Sequence, residues 1–423
     1  MMLSRLRALV ERSTAGRGAA ARRMSVIAAS RILASVVQFG TLAIVGRLMG
    51  VSEFGRFAMA MSLTMVVMSF LEFGLGNRSL RVGSDPRTGS TVSTVLSIRT
   101  VTNILVLVGA GLVMIATGIL PVLESLLVIL YVTGDLFGNL GQSLLIGLKR
   151  EKSAATLLLT RRFATLLPLV GLLVLGYSGM WIYGALSVTG VVGYALTAVL
   201  LLKELGRPSN PFRFISDNRH FMTASVAANL QQADTLIIGA LASPQLAGLY
   251  GAATRLASPL NLLPSSILQS VVPSLARQGD DRSRLKVFGS VRNIMTGIAA
   301  AMIICTPFVP WGITVLYGAD FADAWPMAVA VVIACACNAV VQAYQSWYYA
   351  TKVPPMVTWI LLGNTIAVLG TAALAGVFDS VWISAAGMVA AGMLTLSAFA
   401  VGFNRMTARP ILRGHRGGSG DEA

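Results

Sequence analysis

Asp135, Asn139 and Gln142 lie inside a long apolar stretch, and the spacing recurs 203 positions later as Asn338, Gln342 and Gln345. Steps of four and then three residues put each trio on one face of a helix. Such a stripe can hydrogen-bond a polar ligand, and Asp135 can take up a proton or cation or neutralise a nearby arginine. In hydrocarbon it is costly unless it faces protein or water. Arginines complete the set. Arg31, Arg99, Arg161, Arg162 and Arg255 interrupt apolar runs at positions stepping from the inner leaflet toward the outer one. A guanidinium presents a planar fork suited to phosphate and stays charged at any working pH. These five read as a cationic path for an anionic headgroup. Snorkelling to the interface suits Arg292 and stays open for Arg161 and Arg162. Asp234 falls close to Arg255 on consecutive helices, either as its structural ion pair or as an ion-coupling acid.

The remaining reactive side chains point to no catalytic centre. Cys305, Cys335 and Cys337 lie within apolar segments, and no metal-ligand spacing joins them to His220 or His415. No metal and no cofactor is expected.

The elements that carry these residues are membrane helices. The chain is 55% hydrophobic and 12% charged over 423 residues, against about 25% charge in soluble domains. A spanning helix needs about 20 mainly apolar residues. Twelve segments qualify: 24–46, 55–76, 91–116, 121–147, 153–175, 180–202, 220–242, 250–276, 287–315, 325–350, 354–377 and 381–403. Runs such as 157–175 do not alternate as barrel strands would. The formal charge of +16 suggests nucleic acid until its positions are read. With both termini in the cytoplasm, inner segments hold 25 Lys and Arg and outer loops two, Arg47 and Arg56. This is the positive-inside pattern, and the excess charge touches anionic headgroups. Residues 1–23 carry six Arg and no apolar core, so they do not read as a cleaved signal peptide.

An internal repeat organises the spans. Gly46, Gly55 and Phe57 match Gly239, Gly248 and Tyr250 at an offset of 193; Trp181-Ile182 matches Trp382-Ile383 at 201; Lys149 matches Lys352 at 203. Six helices per half make both halves enter from the same side, as a parallel repeat. The expected layout is a basic segment 1–23, a lobe 24–203, a linker 204–219, a lobe 220–405 and a tail 406–423. The expected class is all-α, with about twelve helices in two six-helix lobes around a central hydrophilic cavity. That is the layout of a transporter. No loop is long enough for a catalytic domain, which argues against a membrane polymerase or ligase. Pro259, Pro264 and Pro273 in the eighth span and Pro307 and Pro310 in the ninth favour bends.

Five stretches carry a family resemblance. Gly46-Arg-Leu-Met-Gly-Val-Ser-Glu-Phe-Gly55-Arg-Phe57, with Glu72-Phe-Gly-Leu-Gly and Arg81, resembles the amino-terminal signature of polysaccharide flippases. Asp234-Thr-Leu-Ile-Ile-Gly239 and Ala247-Gly-Leu-Tyr-Gly-Ala-Ala-Thr-Arg255 resemble the opening of their second half. Leu316-Tyr-Gly-Ala-Asp-Phe-Ala-Asp-Ala324 resembles the outer loop after their ninth helix. The resemblance covers about residues 24–405. It places the chain near the multidrug, oligosaccharidyl-lipid and polysaccharide exporter superfamily. It implies two lobes in a V, alternating access in the cytoplasmic membrane, and a polyprenyl-pyrophosphate-linked oligosaccharide as substrate. Membrane lipids and a coupling H+ or Na+ are the other expected partners. The substrate contacts expected are Arg31, Arg99, Arg161, Arg162, Arg255, Asn139, Gln142, Gln342 and Gln345. The sister reading, a drug–cation antiporter, would call for an acidic or apolar lumen, and Arg outnumber acids within the spans.

Overall fold

The computed structural model describes residues 2–80, 82, 88–211, 214, 230–276, 281–350 and 355–414, and every regular element among them is helical. Nine helical segments among the described residues are long and apolar enough to cross a membrane. Of the expected seventh span, residues 220–229 lie outside the described set. So do much of the expected linker 204–219, Lys352, both histidines, and the tail beyond Gly414.

The chain divides into two compact units, Met1–Met49 with Met59–Gln232, and Gly50–Ala58 with Ala233–Ala423. The first two expected spans form one long element, α1 (Met2–Phe70), broken at Gly50 with φ 71° and ψ 175°. A side chain would be strained at that φ, and glycine is not. The expected second span therefore ends at Phe70 instead of Gly76. A turn through Phe73 and Gly74, both at positive φ, starts the short α2 (Leu75–Ser79).

The rest of the first unit is α3 (Thr88–Thr117), α4 (Val122–Gly147), α5 (Glu151–Leu175) and α6 (Met180–Leu201). Helix α4 packs against α3, α5 and α6. Gly134 of α4 and Gly190 of α6 oppose each other so closely that a Cβ on either would fall onto the neighbouring backbone. Leu140, Leu144, Val92, Val95, Leu157 and Leu201 close the core at one end. On α3, Val101, Ile104, Leu105, Val108 and Leu112 stay exposed, an apolar face that water would not tolerate over that length.

The second unit holds α7 (Asp234–Leu241), α8 (Pro244–Thr254), α9 (Ala257–Ala276), α10 (Asp281–Ile304), α11 (Val309–Tyr317), α12 (Trp325–Ala350), α13 (Pro355–Val377) and α14 (Val381–Gly414). Here α12 is central, packed against α8, α9, α10 and α14. Its core is aromatic, with Phe288, Trp347, Phe399 and Phe403 buried together. The expected eighth span breaks at Arg255–Leu256, ahead of its three prolines. The ninth breaks at Pro307 and Pro310, where missing N–H donors end α10 and a 3-10 turn leads into α11. Segment Gly50–Ala58 belongs to this unit. Gly55 lies against the backbone of Pro244 and Gly248, and Gly248 against Val51. These two glycines are the repeat mates at offset 193, and no side chain fits between their segments.

Candidate functional site

In the first unit the polar stripe of α4 is met by charge from α5. Arg162 Nη1 lies 2.8 Å and Arg161 Nη1 3.3 Å from Asp135 Oδ1. Arg161 also donates to the Asp135 carbonyl at 2.5 Å and to Asn139 Oδ1 at 2.8 Å. Asn139 Nδ2 donates back to Asp135 Oδ2 at 3.3 Å. The Arg161 side chain is wholly buried. Space for it comes from glycines: a Cβ at Gly138 would land on its guanidinium, and Gly193 of α6 faces its stem. Consecutive arginines on α5 reach one carboxylate, so the cluster carries one net positive charge. Arg161 Nε, buried, makes no hydrogen bond. Gln142, one turn along α4, is buried as well.

Beside the cluster a pocket of about 180 Å³ opens between α1, α2, α3 and α4. Glu72, Arg99, Asn139, Ser143, Ser69 and Gln232 supply its polar wall, and Met65, Met68 and Leu136 part of its apolar one. Arg99 is 4% exposed, and its buried Nε makes no hydrogen bond. Ser143 donates to the Asn139 carbonyl and Ser69 to that of Val66, so both hydroxyls keep acceptor lone pairs. Asn139 belongs to both the pocket and the charge cluster. Gln232 reaches the pocket because Ser62 donates to its backbone carbonyl. Arg31, also in this unit, is exposed.

The second unit builds different sites. Asp234 accepts hydrogen bonds from Tyr250 Oη at 2.6 Å and from Thr235 N and Oγ1 at 2.5 and 3.1 Å. Arg255 donates to the Gly251 carbonyl at 2.7 Å, and its guanidinium carbon sits 5.0 Å over the Phe54 ring. Phe54 packs in turn on Tyr317 and Phe321. Along α12, Asn338 Nδ2 donates to Asn261 Oδ1 at 3.0 Å, and Asn261 Nδ2 to Cys335 Sγ at 3.5 Å. Gln342 is buried with Oε1 unpartnered, and Gln345 is half-buried.

The structure thus joins Asp135, Asn139, Arg161 and Arg162 in one cluster and sets Arg99 beside it. It leaves Arg31 apart and holds Asp234, Arg255, Gln342 and Gln345 in the other unit. Sequence reasoning marked Glu72 only as part of a family signature and gave it no site role, although it was visible as an acid closing the apolar run of α1. It also passed over Tyr250 as the partner of Asp234; sixteen residues separate the two.

These features define a class. The fold is that of solved transporters of the multidrug, oligosaccharidyl-lipid and polysaccharide exporter (MOP) superfamily, and the nine apolar helical segments among the described residues fit a multi-pass membrane protein. An inward-facing multidrug-resistance MATE-family transporter aligns at TM-score 0.65 and 12% identity, over 93% of this chain and all of that one. The lipid II flippase MurJ, in an inward closed conformation, aligns at TM-score 0.68 and 11% identity, over 89% of this chain and 87% of that one. A MOP-superfamily transporter from Pyrococcus furiosus, described as having a binding pocket of reverse polarity, aligns at TM-score 0.63 and 11% identity, over 91% and 96%. No curated protein sequence matches the chain. The family of polysaccharide biosynthesis proteins matches residues 20–278, and the chain belongs to that family.

Proposed function

We propose that the chain carries a polyprenyl-pyrophosphate-linked oligosaccharide across the cytoplasmic (inner) membrane, for surface polysaccharide biosynthesis. It works by alternating access, with both termini inside. It is a carrier and not an enzyme: the lipid-linked substrate crosses without a bond made or broken. The observation that carries this reading is the surplus of fixed cation in the apolar interior. Two guanidiniums share the one carboxylate of Asp135. A pyrophosphate taken out of water needs positive charge already in place, because burying it unpaired is prohibitive. The antiporter reading is the weaker one, since an organic cation would meet like charge here. The family match, to polysaccharide biosynthesis proteins, supports the glycan.

Arg31 takes the pyrophosphate when the carrier opens inward, and Arg255 takes it as the carrier opens outward. Gln142, Gln342 and Gln345 contact the saccharide, Arg99, Arg161, Arg162 and Asn139 bind or surround the polar part of the substrate, and Asp135 and Asp234 are the candidates for H+ or Na+ coupling. Losing one charge-assisted contact costs about 1.5–3 kcal/mol, roughly ten- to a hundredfold in affinity. In vesicles reconstituted with the full chain and a labelled polyprenyl-pyrophosphate glycan, Arg31→Ala and Arg255→Ala should each lower flipping strongly. Lys at either site should restore it in part, keeping charge and losing the fork. Wild-type flipping by the double Ala variant would remove both residues from the mechanism. Ion-driven uptake of an organic cation, with no glycan flipped, would overturn the reading.

A further inference from the structure

We infer that the pocket between α1, α2, α3 and α4 is a subsite for one uncharged saccharide ring, held between Arg99 and Glu72. The inference rests on the flippase reading for its substrate and adds where part of the glycan sits.

The pocket has one guanidinium and one carboxylate, so its wall carries no net charge. An anion there would face Glu72, and an organic cation would face Arg99. The hydrogen-bonding inventory narrows the choice further. Glu72, Ser69 and Ser143 offer acceptor oxygens, the serine protons being spent on their own helices. Arg99 offers donors, including the buried unpartnered Nε. Asn139 gives its carbonyl to Arg161 and one amide hydrogen to Asp135, leaving a second hydrogen. A pyrophosphate esterified at both ends carries no proton at neutral pH and has nothing to donate to the acceptors. A sugar hydroxyl both donates and accepts, so neighbouring hydroxyls of one ring can serve the acidic and the basic wall together. The opposite wall is apolar. Met65, Met68 and Leu136 suit the C–H face of a pyranose, and unbranched methionines adapt to its shape. About 180 Å³ admits a single ring and not a chain of them.

Binding to Asn139 would also be felt by the charge cluster, because the same amide bridges Arg161 and Asp135. The ring therefore sits where its arrival can be read by Asp135.

The test is saturation-transfer NMR on the full-length protein in nanodiscs, with free hexoses and N-acetylhexosamines as probes and inorganic pyrophosphate as competitor. The expected result is transfer strongest to ring C–H protons, undiminished by pyrophosphate. Glu72→Gln and Arg99→Met should each weaken it by about tenfold or more. Gly76→Leu fills the pocket while keeping both charges, and should abolish transfer. An added Cβ there meets only the Glu72 carboxylate, at an ordinary 3.5 Å, so this variant remains informative if the charge variants fail to fold. Displacement of the sugar by pyrophosphate would make the pocket an anion site and overturn the inference. Undiminished transfer in Gly76→Leu, or none in the wild type, would overturn it too. Sugar binding in a protein that flips nothing supports the pocket while sinking the flippase reading; flipping without sugar binding does the reverse.

Discussion

The two polar stripes, alike in spacing, solve the problem of a polar group in an apolar bundle in opposite ways. On α4 the stripe is headed by an acid, and its partners are arginines. At the same register on α12, 203 residues on, Asn338 stands for Asp135, and Asn364 of α13 stands for Arg161. Asn338 bonds to Asn261, and Asn364 accepts from Thr395 Oγ1 at 2.9 Å. The glycines change with the charge: Gly134, Gly138 and Gly141 correspond to Cys337, Val341 and Tyr344. A buried guanidinium needs a counter-charge and the volume of missing side chains beside it. A neutral amide needs one partner and leaves room for packing. The first unit has given up core volume to hold charge, and the second has kept an aromatic core.

Cutting the counter-charge should have the largest effect on that contrast. Asp135→Ala leaves two guanidiniums without their carboxylate, and losing one partner of a buried pair costs about 3–5 kcal/mol. The expected outcome is a large drop in unfolding temperature and in folded yield from the membrane. Asp135→Asn with Arg161→Asn and Arg162→Thr copies Asn338, Asn364 and Thr365 of the second unit and should recover most of the loss in folding but not in flipping. A full-strength melt from Asp135→Ala would mean that the arginines do not depend on it.

Gly138→Val copies Val341 and drives side-chain atoms into the Arg161 guanidinium. Overpacking of this kind costs about 1–3 kcal/mol. The penalty should largely vanish in an Arg161→Ala background, and a double-mutant cycle measures that coupling. Additive effects would show that Gly138 serves the backbone instead.

Asn261→Ala should be the mildest change, removing the neutral hydrogen bond from Asn338, at about 1 kcal/mol, and the long one to Cys335 Sγ. Its melt should shift less than that of either first-unit variant. A shift as large as that of Asp135→Ala would erase the distinction between the units.

The stripes show how far the sequence could be read. Asp135 and Asn139 were recognisable as one helical face because four residues bring side chains back to the same side. Asp135 also stood out as a possible neutraliser of an arginine, but Arg161 and Arg162, equally near along α5, were open to snorkelling. Only the packing of α5 on α4 decides which arginine meets the acid: both do. Glu72 and Arg99 are 27 positions apart and share no period. Their pocket exists because α1, α2, α3 and α4 meet around it. Arg255 was read as lying in the outer part of an unbroken eighth span, whereas the helix breaks beside it and the guanidinium folds back onto Gly251.

What the sequence determined by itself is what local geometry and solvent dictate. It determined that the elements are helices, where most of them span, and which residues share a face. It also carried the matched positions at offsets of 193 to 203 on which the expected repeat rests. These follow from the 3.6-residue turn and from the cost of exposing backbone or charge to hydrocarbon. What only the tertiary structure decided is which faces meet. The opposed glycines that let α4 approach α6, the two arginines on one carboxylate, and the zwitterionic pocket all depend on contacts between distant segments. Those contacts are selected by volume and charge complementarity across helices, and no period within a single helix records them.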